Sequence, residues 1–126
     1  MQGVIESLTS CLKYQLRNYK LHSGRVINLL YKSSIIECCS HAGVRTDGRK
    51  ILMLNPHVLS AIEKLCSELN AKYIVVVGYK KYFICRSSSE VKELTRLYPK
   101  VRKKSGRIGA HTVYIYDVLS GWVHVY

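Results

Sequence analysis

The spacing of apolar residues changes near Lys72, and this change limits the secondary structure that the chain can form. Upstream of Lys72 the apolar residues recur every three or four positions, which is the period of an amphipathic helix. Downstream, β-branched and aromatic residues follow one another or alternate with polar ones, which is typical of strands. The chain therefore predicts an α+β fold, with a helical half at residues 1–70 and a sheet-forming half at residues 71–126. A length of 126 residues also suits one compact domain that contains both halves.

The start of the chain predicts three helices separated by turn residues. Apolar periodicity indicates helices over residues 3–20, over residues 26–30 and from Ser33 or Ser34 to Cys39. Ser23 suits the N-cap of the second helix. Gly43 suits the end of the third, because glycine tolerates the left-handed backbone that commonly follows a helix.

A small hairpin and a further helix are expected next. Asp47-Gly48 is a strong signal for a tight hairpin turn, with Ile51–Leu54 as one of the two strands. Asn55 is a favourable N-cap, and Pro56 fits the first helical position because its missing N–H has no partner there. The helix that follows is expected to end at Asn70.

The second half predicts two β-hairpins joined by a short helix and a basic loop. Ser87 and Glu90 have the spacing of a capping box, and Pro99 ends the helix that they begin. The four expected strands are Tyr73–Val77, Lys81–Arg86, Thr112–Asp117 and Trp122–Tyr126. The prediction is one antiparallel sheet with a helix on one face.

Positive charge is the strongest indication of a partner. The chain has 20 Lys and Arg residues against 8 Asp and Glu residues, a formal net charge of +12. Five of the eight residues in KVRKKSGR (100–107) are basic, and the same run contains Ser105 and Gly106. A surface of this kind attracts polyanions and releases counterions when it meets phosphate groups. We therefore expect a nucleic acid as partner, with duplex DNA favoured over RNA; the alternative is that the charge only keeps the protein soluble.

The expected contacts to nucleic acid fall into three groups. The loop residues would supply most of the affinity, the residues beside Asp47-Gly48 would position the chain, and two lysines lie on the first C-terminal hairpin. The candidate residues are Arg45, Arg49, Lys50, Lys80, Lys81, Lys100, Arg102, Lys103, Lys104 and Arg107.

The stretch HAGVRTDGRKILMLNPHVLSAIEKL resembles the wing and following helix of winged-helix DNA-binding proteins. The resemblance covers residues 1–70 and is one of residue types rather than of a specific motif. It implies that Ser33–His41 lies in the major groove, while Arg45, Arg49 and Lys50 contact DNA from the wing. The competing interpretation is that Ser33–His41 is buried in a small α+β domain, because its central residues are mostly apolar.

The C-terminal hairpin offers two further possibilities. Strand alternation places Tyr114 and Tyr116 on one face of the sheet, opposite Val113 and Ile115. Such tyrosines can stack on unpaired bases, but cross-strand packing is the favoured interpretation, because tyrosine is common in strands without any ligand. The second hypothesis for function is a structural or interaction module, in which the terminal strand Trp122–Tyr126 pairs with a second copy to form a homodimer.

No catalytic or metal-binding signature is present. The two aspartates, Asp47 and Asp117, both fall at predicted turns, and the histidines lack metal-ligand spacing. We therefore expect a protein that is not an enzyme, with no cofactor and no metal. The five cysteines are expected to be buried thiols; one or two disulfides, or a zinc site near Cys38 and Cys39, are the alternatives.

The chain shows no sign of a membrane span or secretion signal. The N-terminal segment is interrupted by Glu6 and Lys13, and no apolar run is long enough to span a bilayer. We therefore expect an intracellular protein that stays in the cytoplasm of the cell that makes it, the host cell. The composition, rich in Tyr, Lys, Arg, Val and Ile, is similar to that of small proteins from hyperthermophilic archaea and their viruses, which implies heat stability and frequent dimerisation.

Overall fold

The computed structural model describes residues 3–46, 55–71, 73–77, 81–97, 113–117 and 123–125. Four helices and six strands are found within these ranges. In chain order they are α1 (Val4–Gln15), β1 (Arg17–Lys20), β2 (Val26–Tyr31), α2 (Lys32–His41), α3 (Pro56–Glu68), β3 (Tyr73–Val77), β4 (Lys81–Cys85), α4 (Ser88–Leu97), β5 (Val113–Asp117) and β6 (Val123–Val125). The fold is α+β, as the change in apolar spacing predicted.

The six strands form one antiparallel sheet in the order β1-β2-β4-β3-β5-β6. The two predicted C-terminal hairpins are confirmed, with Tyr73 opposite Cys85 in one and Tyr114 opposite Val125 in the other. Strand β2 pairs with β4, with Leu29 opposite Phe83. Both halves of the chain therefore contribute strands to the same sheet.

The first predicted helix is confirmed but too long, and the second is wrong, because the first two strands lie within these predicted segments. The helix predicted over residues 3–20 ends at Gln15, and Arg17–Lys20 forms β1. The helix predicted over residues 26–30 is strand β2. Its apolar side chains are buried on both faces of the sheet, so the sequence lacks the polar alternation that reveals a strand with one wet face.

Helices cover both faces of the sheet. On one face, α1, α2 and α3 pack against Leu30, Tyr82 and Ile84. On the other face, α4 packs Val91 and Leu94 against a second group of sheet residues. That group consists of Ile27, Leu29, Phe83 and Cys85. Because neighbouring strand residues point to opposite faces, Tyr82 and Phe83 belong to different cores.

The predicted start of α3 is confirmed. Asn55 Oδ1 accepts hydrogen bonds from the backbone N–H groups of His57 (3.0 Å) and Val58 (3.3 Å), and Pro56 is the first helical residue. Asn55 Nδ2 also donates to the carbonyl of Arg45 at 3.0 Å. The predicted end is confirmed too, since Asn70 has φ of 57° just after the helix. The hairpin expected at Asp47-Gly48, with its strand at residues 51–54, lies outside the described residues.

The capping box of α4 is confirmed with one change. Ser87 Oγ accepts from the N–H of Glu90 at 3.3 Å, as expected. The Glu90 carboxylate, however, accepts from the N–H of Arg86 at 2.6 Å rather than from Ser87. The side chain of Glu90 is buried, so this bond satisfies a carboxylate that would otherwise be costly to bury.

A disulfide joins α1 to α2 through Cys11 and Cys38, whose Cα atoms are 5.6 Å apart. The expectation of reduced thiols is therefore wrong for these two residues, because helix contact, which spacing alone does not show, brings them together. The other three cysteines, Cys39, Cys66 and Cys85, are free and buried. Burial raises the pKa of Cys66 and of Cys85 to about 12, so both stay protonated at neutral pH.

The disulfide gives a direct test of the α1–α2 contact. In denaturant without reductant, three of the five cysteines should react with a thiol reagent, and all five should react after reduction. Replacing Cys11 and Cys38 by Ser should lower the free energy of unfolding by about 3 kcal/mol, because the bridge restricts the unfolded chain. Urea unfolding with and without reductant measures this.

The double variant is its own control, since reductant should not change its stability. Five reactive thiols before reduction would show that the bridge is absent from the protein.

Candidate nucleic-acid interface

The structure describes two of the ten predicted contact residues. Arg45 is exposed just after α2, and its carbonyl is bound to Asn55 at the start of α3. Lys81 is half-buried at the first position of β4, between Tyr31 of β2 and Val77 of β3. Arg45 thus lies in the segment after α2 and Lys81 in a strand, so the two belong to different parts of the fold. The remaining candidates, Arg49, Lys50, Lys80, Lys100, Arg102, Lys103, Lys104 and Arg107, lie outside the described residues.

Helix α2, the segment that the winged-helix resemblance places in the major groove, packs its apolar residues inward. Ile35, Cys38 and Cys39 are fully buried in the core that α2 shares with α1 and α3. Its exposed residues include Glu37, whose carboxylate lies 3.9 Å from His41 Nε2. A carboxylate on the outer face repels phosphate, so α2 is poorly suited to contact DNA.

A groove between the β1–β2 turn and α4 gathers positive charge instead. Its volume is about 630 Å³. It is lined by His22, Ser23, Ser89, Lys92, Glu93 and Arg96, and we call it the cationic groove.

The sequence of α4 explains how one helix supplies both a core face and a groove wall. The four groove residues of α4 lie at positions 89, 92, 93 and 96, which share one side of a helix. Val91 and Leu94 lie on the opposite side and are buried against the sheet. Burying these two residues therefore fixes Lys92 and Arg96 on the outer face.

A tight turn forms the other wall. The N–H of Leu21 donates to the carbonyl of Arg25 at 2.7 Å, and the N–H of Gly24 donates to the carbonyl of Leu21 at 2.9 Å. Gly24 has φ of +90°, which explains why glycine occupies this position. The turn leaves His22, Ser23 and Arg25 exposed. The prediction that Ser23 caps a helix is wrong, since a strand follows the turn.

Glu93 joins the two walls. One carboxylate oxygen accepts from the backbone N–H of Ser23 at 2.6 Å, and the other accepts from Ser23 Oγ at 2.9 Å. The Ser23 backbone hydrogen bond is the main reason that the pKa of Glu93 is lowered, with smaller contributions from the Ser23 side chain, His22 and Arg25. The carboxylate is therefore held in its charged form.

Among the described residues of the groove, cations outnumber carboxylates. Arg25 Nη1 donates to Ser89 Oγ at 3.4 Å, which brings a third permanent cation to Lys92 and Arg96. Among the described carboxylates, none forms a salt bridge with Arg25, Lys92 or Arg96. The groove thus keeps a positive potential that an external anion can neutralise.

A second cleft shows the contrast. It lies between α1 and α3, has a volume of about 210 Å³, and holds Glu6 and Glu68 with Lys13 and Lys64. Lys13 Nζ lies 3.4 Å from Glu68 Oε2. Two carboxylates thus balance two lysines, and this cleft offers little attraction to an anion.

The groove residues were missed from sequence because they are not neighbours along the chain. His22 and Arg25 lie about 70 residues before Lys92 and Arg96, which face the same groove. The sequence contains one weaker indication of the groove. Lys92 and Arg96 are four positions apart, which places them on one face of a helix, opposite Val91 and Leu94. The sequence does not show that the turn at residues 21–25 lies beside this helix.

Other kinds of site find less support. Within the described ranges, no group of three or more His, Cys, Asp or Glu side chains is placed to hold a metal ion. No helix in the same ranges combines the length and apolarity required to cross a bilayer. Comparisons with models of known protein families, with curated proteins and with solved structures give no match to this chain. The groove's own chemistry is therefore the basis for a function.

The Ser23–Glu93 contact makes stability depend on pH. Because the pKa of Glu93 is lowered in the folded protein, the charged carboxylate stabilises the fold above the ordinary value of 4.5. That contribution is lost as the pH falls through the lowered pKa. Glu93→Gln should therefore unfold at lower urea than the wild type at pH 7, and the difference should shrink below pH 4.5.

Glu6→Gln on α1 is the matched control for urea unfolding from pH 7 to pH 3, since it removes the same charge without touching Ser23. A gap between wild type and Glu93→Gln that stays constant down to pH 3 would contradict the linkage.

Proposed function

We propose that this protein is a non-catalytic nucleic-acid-binding protein, that duplex DNA is its ligand, and that the cationic groove contacts the phosphate backbone. The observation that carries the proposal is that Lys92 and Arg96 line one groove, that Arg25 is bonded to Ser89 of the same groove, and that none of the three forms a salt bridge to a described carboxylate. Such cations are available to a partner, whereas those already paired are not.

The chemistry of the groove suits phosphodiesters. Guanidinium and ammonium groups form charge-assisted hydrogen bonds with phosphate oxygens, and serine hydroxyls add neutral donors. Lys92 and Arg96 are one helical turn apart, a rise of about 6 Å, so they can reach successive phosphates. Among the described lining residues His22 is the one aromatic ring, so contact with the backbone is favoured over stacking on bases.

The charge of the whole chain supports the same function. A net charge of +12 attracts a polyanion from a distance and accelerates association at low salt. In this proposal the basic residues between Lys100 and Arg107, with Arg45, Arg49, Lys50, Lys80 and Lys81, add further phosphate contacts. Their contribution is to affinity rather than to sequence preference, because phosphate contacts carry no base identity.

Reversing one charge in the groove tests the proposal. Lys92→Glu should weaken binding to a 20-base-pair duplex by about tenfold at 50 mM salt, since an attraction becomes a repulsion. It should also reduce the slope of log K against log salt by about 0.9 for each phosphate contact that is lost. Fluorescence anisotropy at four salt concentrations measures both quantities.

Lys64→Glu is the control, because Lys64 is also an exposed helical lysine and the reversal lowers net charge equally. It lies on α3, on the other side of the sheet. Equal losses in the two variants would show that only net charge matters and would remove the groove from the interface. Absence of any binding at low salt would remove the function.

A second candidate function is supported by the position of β6. Among the described strands it is the last in the sheet order, and it is paired with β5 on its inner side. A strand at a sheet edge presents backbone N–H and C=O groups that can pair with another chain. The proposal is a homodimer formed through β6 of two copies.

Light scattering after size exclusion tests the homodimer. The full chain should have the mass of a dimer at micromolar concentration, and a chain ending at Gly121 should be a monomer because it lacks β6. The circular dichroism spectrum of the shortened chain checks that it still folds. An equal mass for the two folded chains would rule out pairing through β6.

A further inference from the structure

The β1–β2 turn presents two hydrogen-bond donors to a single anion. The backbone N–H and the hydroxyl of Ser23 bind the two oxygens of the Glu93 carboxylate at 2.6 and 2.9 Å. The N–H of Arg25 lies 3.5 Å from Ser23 Oγ, so the hydroxyl accepts from Arg25 while it donates to Glu93. The turn therefore holds two hydrogen-bond donors at one anion-binding position, and the carboxylate of Glu93 occupies that position.

The groups around this position favour an anion more strongly than one carboxylate requires. The charges of His22 and Arg25 act on it from the turn, and Lys92 and Arg96 line the same groove from α4. The remaining titratable side chain among the described lining residues is Glu93, which supplies a single negative charge. A phosphate group brings at least one charge and more acceptor oxygens, so it can engage the Ser23 donors and the flanking cations together.

Glu93 can leave this position without disturbing the core. It lies on the solvent-facing side of α4, while Val91 and Leu94 hold the helix to the sheet. Rotation of its side chain releases both Ser23 donors and moves the carboxylate into water. The backbone of the turn stays fixed by the hydrogen bonds between Leu21 and Arg25 and between Gly24 and Leu21.

We propose that Glu93 occupies the place of a ligand phosphate, and that a phosphate group displaces it from Ser23 when the cationic groove is filled. This inference deepens the proposed function and rests on it. Ser23 N–H and Oγ–H are then ligand-binding donors, and Glu93 is an internal competitor that lowers the affinity of the free protein. No covalent bond changes; the two Ser23 hydrogen bonds pass from a carboxylate to a phosphate.

Competition has a consequence for selectivity. The net binding free energy of a ligand is the difference between the free energy of its own contacts and that of the Ser23–Glu93 contacts that it replaces. A neutral or weakly acidic molecule therefore gains little from the groove, whereas a chain of phosphates gains enough to displace the carboxylate. Removing the competitor should strengthen the binding of every phosphate ligand.

Titration of ¹⁵N-labelled protein with inorganic phosphate tests the displacement. In Glu93→Gln, phosphate should shift the amide signals of Ser23 and Gly24 and bind about fivefold more tightly than in the wild type, because a nearby like charge is removed. The control Glu6→Gln loses the same charge on α1, which packs on the other face of the sheet, and should stay within about twofold of the wild type. Equal phosphate affinity in all three proteins would overturn the proposal.

A measurement on the wild type guards against a variant that fails to fold. Saturating phosphate should raise the pKa of the Glu93 carboxyl, followed by ¹³C NMR of its side chain, because the carboxylate loses the Ser23 donors that lower it. An unchanged pKa would show that Glu93 stays on Ser23.

A labelled DNA duplex in parallel titrations separates this inference from the function on which it rests. If phosphate shifts Ser23 but the duplex does not bind, the anion position stands and the proposed function fails. If the duplex binds equally to Glu93→Gln and Glu6→Gln without shifting Ser23, the function stands and the displacement is wrong.

Discussion

The pairing of β2 with β4 is the contact on which the rest of the structure depends. Leu29 lies opposite Phe83 and Leu30 opposite Tyr82, and all four side chains are buried. Complete burial of a large apolar side chain contributes about 1.5–3 kcal/mol, and here it occurs on both faces of one strand pair. This pair joins strands from both halves of the chain and supports α1–α3 on one side and α4 on the other. The groove follows from it, because α4 packs beside the turn that leads into β2.

Features set by local sequence could be predicted. Asn55 caps α3 through its own neighbours, Ser87 does the same for α4, and the β3–β4 hairpin joins two adjacent runs of β-branched and aromatic residues. In each case the interacting residues are a few positions apart, so residue type and spacing contain the information. The α+β class followed from the same local patterns.

Features set by contacts between distant segments could not be predicted. Strand β2 was mistaken for a helix because apolar side chains on both faces remove the alternation that marks a strand. The Cys11–Cys38 disulfide and the Ser23–Glu93 contact depend on how helices and turns pack, which spacing along the chain does not contain. For the same reason, the sequence favoured the basic run at residues 100–107 as the binding site, whereas the described cations that lie near one another are Arg25, Lys92 and Arg96.

The disulfide closes a covalent ring from Cys11 to Cys38, and this ring includes β1, β2 and the whole turn that forms one wall of the groove. A protease that cuts the exposed turn once would therefore leave both ends attached to the same molecule. The helices that anchor the two ends, α1 and α2, lie in the core shared with α3 and would stay in place. The protein can thus lose the continuity of this exposed turn and still remain a single covalent unit for as long as the bridge is oxidised.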